Sequence, residues 1–255
     1  MSTTKSLQEL IIAVHFEVPI PLAVVDLADW IALFSKDFPV VQQLPNLPQV
    51  SLPVPGMLPQ MQFQMLEVPP LPRMLLRSPD SRYSVQLQND RFAFGWHRTE
   101  PVGVPAAYDG FESHKVAWNE VLDRFEHWCM SRFHQKPKYR LLELSYSNAA
   151  PLVVDGRTKR ISEIFTFVQA KSRSLGAFNV SWVEGVQPLV PGEPVKGIVS
   201  IQVAVGTAPP AQPVLTFTFS GMSGVAEDEK SEHILEQVHA KIREIYSATI
   251  ITDGD

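Results

Sequence analysis

The sequence predicts an α+β fold made of two pseudo-repeated halves, each running strand, helix, three or four strands, helix, with antiparallel sheets that carry their helices on one face. Short stretches such as YSVQLQ and RFAFGWH alternate apolar and polar side chains, the period of a half-buried strand. Residues 111–134 and 228–246 instead place apolar side chains three and four apart, as a helix with one buried side does. The order of elements then recurs after about 125 residues.

The first run, ELIIAVHFEV, sets Ile12, Val14, Phe16 and Val18 on one side and Ala13, His15 and Glu17 on the other, so it is a strand. DLADWIALFSKDF follows, with Asp26 as its N-terminal cap and Leu27, Trp30, Ile31 and Phe34 at helical spacing. Between residues 39 and 72 nine prolines exclude a helix. They leave a long extended connection in which MQFQMLEV is the stretch able to pair as a strand. PRMLLRS, YSVQLQ and RFAFGWHR supply the remaining strands of the first half, residues 1–136. Its closing helix, Phe111 to His134, lines up Trp118, Val121, Leu122, Phe125, Trp128, Cys129 and Phe133, and Lys136-Pro137 stops it.

The second half, residues 137–255, opens on the strand YRLLELSYSNAAP and passes through a short helical stretch, ISEIFTFVQ. The strands FNVSWVEGV, GIVSIQVAVG and PVLTFTFS come next, and SGMSG turns the chain into a last helix that buries Ile234, Leu235, Val238, Ile242, Ile245 and Tyr246. The two halves pack as one compact unit. Their order is similar to the repeated unit of the TATA-binding-protein and helix-grip architectures, an analogy of fold that carries no function by itself.

A two-residue loop at Asn89-Asp90 sets the register of the central hairpin. Leu87 then faces Phe92, Val85 faces Phe94 and Tyr83 faces Trp96 on the core side, while Gln86 meets Ala93, Ser84 meets Gly95 and Arg82 meets His97 on the other. The aromatic density of RFAFGWH is therefore core.

Composition and motifs narrow the function. A formal net charge of −5 provides no global positive field to gather a polyanion. A single cysteine, Cys129, excludes an intramolecular disulfide and multi-cysteine metal sites, and its place in the apolar arc of a helix makes it a buried, inert thiol. The start, MSTTKSLQELIIAVHFEV, lacks a signal peptide's apolar core, and no apolar stretch reaches the roughly 20 residues of a membrane span, so a cytoplasmic protein outside the membrane is expected.

No glycine-rich phosphate loop, GxSxG turn or HExxH spacing occurs, and His233 and His239 lie about 240° apart around one helix. The expectation is no catalytic residue, no metal and no cofactor. His15 and Glu17, on one strand side, form the nearest approach to a proton-transfer pair. The candidate binding residues lie on the polar side of the strands: His15, Glu17, Gln86, Gln88, His97, Ser145, Gln202, Thr216 and Thr218. Such short, hydrogen-bonding side chains suit a platform for a ligand or partner.

Taken in order, LQELIIAVHFEV, YSVQLQNDRFAFGW, YDGFESHKVAWNEVLDRF, LLELSYSN and VHAKIREIYSATIITD resemble a sporadically distributed, uncharacterised bacterial protein family. There the fourth stretch reads like LRYINR. Tyr146 and Asn148 match it and Ser147 and Ala149 depart, and Asn148 joins the candidate binding residues. The resemblance implies a stand-alone, patchily inherited protein of an accessory system, antitoxin-, immunity- or defence-like. The function expected is a non-catalytic module that engages a partner protein encoded nearby through its polar sheet face. The alternative is a nucleotide or nucleic acid on the same face, with Arg82, Arg91 and Arg98 at its margin.

The hairpin register makes Phe94 a core residue, so Phe94→Ala is expected to cost about 3–5 kcal/mol in urea unfolding, and a loss below about 1 kcal/mol would place it outside the core.

Overall fold

The first strand of each half lies side by side at the middle of one continuous, open antiparallel sheet. The computed structural model describes residues 6–50, 52, 71–101, 106–154, 157–158, 163–166, 179–186, 196–208, 212–225 and 231–250. In chain order these form β1 (Leu7–Phe16), α1 (Val24–Phe34), β2 (Val40–Leu44), β3 (Arg73–Arg77), β4 (Tyr83–Gln88), β5 (Arg91–His97), α2 (Phe111–Phe133) and β6 (Tyr139–Pro151). They continue with β7 (Val153–Val154), β8 (Arg157–Thr158), β9 (Asn179–Gly185), β10 (Gly197–Ala208), β11 (Gln212–Gly224) and α3 (Ser231–Thr249). The sheet has nine strands in the order β2-β3-β4-β5-β1-β6-β11-β10-β9, and β7 and β8 pair separately.

All three helices pack on one side of this sheet. Trp30 and Phe34 of α1, Trp118 and Phe125 of α2, and Leu235 and Val238 of α3 join Ile12, Val14, Phe94, Leu144 and Phe219 of the strands in one core. At its centre the rings of Phe92 and Phe125 stack with centroids 4.2 Å apart. The hairpin has the expected register pair for pair, from Gln88↔Arg91 to Tyr83↔Trp96. Val85, Leu87, Phe92, Phe94 and Trp96 are all buried, as is Cys129, whose thiol burial pushes up to about 12.

Several local expectations give way to tertiary contacts. β1 ends at Phe16, and Val18 is 74% exposed, because the chain turns away once the core side is filled. α1 begins at Val24, so Asp26 is in its first turn; its carboxylate accepts the Ala23 N–H at 2.7 Å and takes Arg132 Nε–H of α2 on the other oxygen. The Pro-rich connection contains an edge strand, β2, paired with β3, which proline content hid; MQFQMLEV lies outside the described residues. α2 stops before Lys136-Pro137, at His134, which adopts φ 57° and donates its N–H to Met130 O at 3.0 Å. Of ISEIFTFVQ, residues 163–166 are described and form a turn in which Phe165 bridges Ile250. Among the described residues the second half thus has one helix, and most of the stretch expected to form the other lies outside them.

SGMSG is likewise no turn into a helix: it runs inside β11, with Gly221 opposite Val199 and Leu144. The glycine is needed there because α3 crosses directly above. A Cβ at position 221 would lie 2.2 Å from Val238 Cγ1 and 3.2 Å from Ile242 Cδ1. Gly221→Ala is accordingly expected to destabilise the protein by about 1–3 kcal/mol through overpacking. Chemical denaturation measures this, and a neutral substitution would mean that α3 is free to move off the sheet.

Candidate functional site

The polar side of the sheet divides into a covered half and an open half. In the covered half His15 is fully buried, and its Nε2–H donates to Glu143 Oε2 at 2.9 Å across the β1–β6 ladder. Glu17, its expected companion, is exposed beyond the strand end. Burial pushes the Glu143 carboxyl up, but the hydrogen bond and charge of His15, with Arg91 nearby, outweigh that and hold it below its ordinary value.

The cover is the chain's own Pro-rich connection. Gln88, buried, grips both backbone groups of Leu47: its Oε1 accepts the Leu47 N–H and its Nε2 donates to Leu47 O, each at 2.9 Å. Arg91 donates to Pro48 O at 3.2 Å and Arg140 to Val50 O at 2.7 Å. Prolines favour an extended backbone and remove N–H donors, so the carbonyls of this segment are available to the cations beneath. Along the same side Gln86 accepts from Arg73 Nη1 at 2.9 Å, and the His97 ring bonds Ser84 Oγ at 2.7 Å and Glu9 Oε1 at 3.0 Å. Ser145 is buried against Ser220 Oγ at 2.8 Å.

The open half spans β6, β11, β10 and β9. Gln202 and Thr216 are exposed, Thr218 is half-buried with its hydroxyl 3.2 Å from that of Ser147, and Val183, opposite Ser200 near the sheet edge, is 53% exposed. The candidate residues therefore fall into two groups. His15, Gln86, Gln88, His97 and Ser145 are held in the covered half, while Gln202, Thr216 and Thr218 lie on the open half, where the Thr216 hydroxyl donates to Ala204 O at 3.1 Å.

Asn148 belongs to neither, because the period of two in β6 puts Tyr146 and Asn148 on the helix side with Leu144. There they line a cleft of about 700 Å³ between β6, the start of α2 and α3. Gly110, at φ 90°, a conformation open to glycine, leads the chain into α2. Phe111 then stacks on His239 of α3, with centroids 3.8 Å apart and an interplanar angle of 7°. Lys115, buried in α2, reaches Glu236 of α3 at 2.7 Å and Glu112 at 2.9 Å, so the two helical walls are tied together.

At the cleft wall Tyr146 Oη meets His239 Nδ1 at 2.9 Å. Burial, then the nearby Arg243 guanidinium, push His239 down to about 4, and burial pushes the Tyr146 phenol well above its ordinary value and that of Tyr108 up to about 12. Tyr146 therefore keeps its proton, and its hydroxyl joins both Tyr108 and His239 Nδ1. Among the described residues His239 Nε2 has no hydrogen-bond partner, and Arg243, one helical turn along α3, makes no hydrogen bond or salt bridge. Sequence reasoning missed this group. His239 and Arg243 stand four apart, hence side by side on one helix, but nothing local shows that Tyr146 faces them.

The fold and these surfaces define a class: an open-sheet α+β protein with a polar platform on one side and a polar-walled cleft among its helices on the other. No protein-family model matches the chain, and no curated protein is similar to it, so its function is argued from its own residues. Among the described residues no helix is long and apolar enough to cross a membrane, and no group of three or more His, Cys, Asp or Glu side chains is placed to hold a metal ion.

His239 is expected to remain neutral from pH 8 down to pH 5, which the ring nitrogen shifts in a long-range ¹H–¹⁵N spectrum report (about 4 against an ordinary 6.5). Because the unfolded histidine takes up its proton near 6.5 and the folded one near 4, this residue's effect on stability is absent above that window and turns unfavourable as pH falls through it. A ring that titrates near 6.5 would contradict the burial of His239 beside Arg243.

Proposed function

We propose that the protein is a non-catalytic binding module that engages a partner protein through the open half of its polar sheet face, accepting an extended segment of that partner much as the covered half accepts residues 46–50 of its own chain. The grip of Gln88 on both backbone groups of Leu47 carries this reading. It is a side-chain amide pairing with a peptide unit, and it needs no particular sequence in the chain it holds. Gln202, Thr216 and Thr218 offer the same kinds of donor and acceptor on the open half. The setting that goes with the reading is a cytoplasmic accessory protein whose partner is encoded nearby.

A second reading, a nucleotide or nucleic acid on this face, draws support from Arg73, Arg91 and Arg140, whose buried Nε–H groups have no acceptor. It ranks second because residues 46–50 lie over two of these arginines and would have to leave before phosphates could reach them.

A photo-crosslinking residue at position 202 or 216, expressed in the native host, is expected to capture one recurrent protein that the same residue at position 240, exposed on α3, does not. Identical products at all three positions would refute the partner surface, and salt-sensitive capture of nucleotides or nucleic acid instead would favour the second reading.

A further inference from the structure

We infer that the cleft between α2 and α3 is a separate binding site for a small organic anion, a carboxylate or phosphate monoester carried on an apolar or aromatic body. The site is on the opposite side of the sheet from the partner surface and stands independently of it. At about 700 Å³ the cleft lies within the size range of small-molecule sites. Its apolar wall, with Phe219 and Ile242, suits a ring or short hydrocarbon.

Two polar groups in the cleft are engaged by no described residue. His239 presents Nε2, because Tyr146 occupies Nδ1, and Arg243 contributes its guanidinium. The acceptors are mostly taken: Glu112 is paired with Lys115 at 2.9 Å, and Asn148 Oδ1 accepts from Ser6 Oγ at 3.3 Å. Asp109, Glu112 and Arg243 line the cleft at exposed positions, and the charges of Arg243 and Glu112 are felt at both Tyr146 and His239. A guanidinium that no described residue engages, beside a cleft with an apolar wall, matches an anionic oxygen ligand, for which arginine offers paired N–H bonds. The first turn of α2, which has no side-chain cap, points the same way.

Titration calorimetry of the full chain with phenyl phosphate, benzoate and neutral benzamide tests the site. At least one of the two acids is expected to bind one to one, and benzamide is not. Arg243→Met should weaken that acid about tenfold or more, while Lys241→Met, a loss of the same charge from the same helix, should leave it unchanged. Arg243 is exposed, so an unchanged melting temperature will confirm that its variant folds. Binding of benzoate alone identifies a carboxylate site and of phenyl phosphate alone a phosphate site. Failure of both acids at millimolar concentration, equal binding of benzamide, or full affinity in Arg243→Met would each overturn the assignment.

Discussion

The pairing of β1 with β6 is the constraint on which the rest of the structure depends. Leu10, Ile12 and Val14 face Tyr146, Leu144 and Leu142 across it, and the aliphatic members are essentially removed from solvent. One ladder thus joins the two halves into a single sheet and supplies the middle of the core. Because side chains alternate along a strand, the same ladder sends Glu143 to one surface and Tyr146 to the other. His15 meets Glu143 on the first surface, and His239 meets Tyr146 on the second. A slip of one residue between β1 and β6 would exchange these surfaces and expose the core side chains, so register and site are specified together.

Around that ladder the protein treats its two surfaces differently. The helix side is dry except at the cleft, where the Lys115 ion pairs and the Phe111–His239 stack hold α2 and α3 side by side. A buried lysine is tolerated there because carboxylates from both helices meet it. On the other surface Arg91 and Arg140 donate to backbone carbonyls of residues 48 and 50, and Gln88 donates to Leu47 O and to the Asp90 carboxylate. A proline-rich stretch suits that purpose, since it stays extended and presents acceptors without competing donors. Residues 46–50 of the connection are therefore a structural layer over this part of the sheet.

How much could be read in advance follows from the range of the interactions involved. The hairpin from Tyr83 to His97 was legible to the residue pair, since its turn and alternation lie within one short window. The α2 helix was equally plain from Trp118, Val121, Leu122 and Phe125. SGMSG misled because two glycines normally signal a turn, whereas Gly221 serves the close approach of α3. Asp26 was recognised as a capping residue, but its capping contact depends on where α1 starts. His15 was placed on the correct side of its strand, yet its partner proved to be Glu143, 128 residues away, and its surroundings the chain itself.

By itself, then, the sequence determined the α+β class, two of the three described helices closely, and which side of β1, β4, β5, β6, β10 and β11 is apolar, because these follow from periodicities of two and 3.6 residues that local side-chain chemistry imposes. Only the tertiary structure decided that the halves share one sheet, that residues 46–50 lie over Gln88, Arg91 and Arg140 on its polar face, and that Tyr146, His239 and Arg243 converge in one cleft. Those outcomes depend on contacts between segments tens to more than a hundred residues apart. Their pairing is set by how apolar faces close over one another, a global packing condition that no single stretch of chain records.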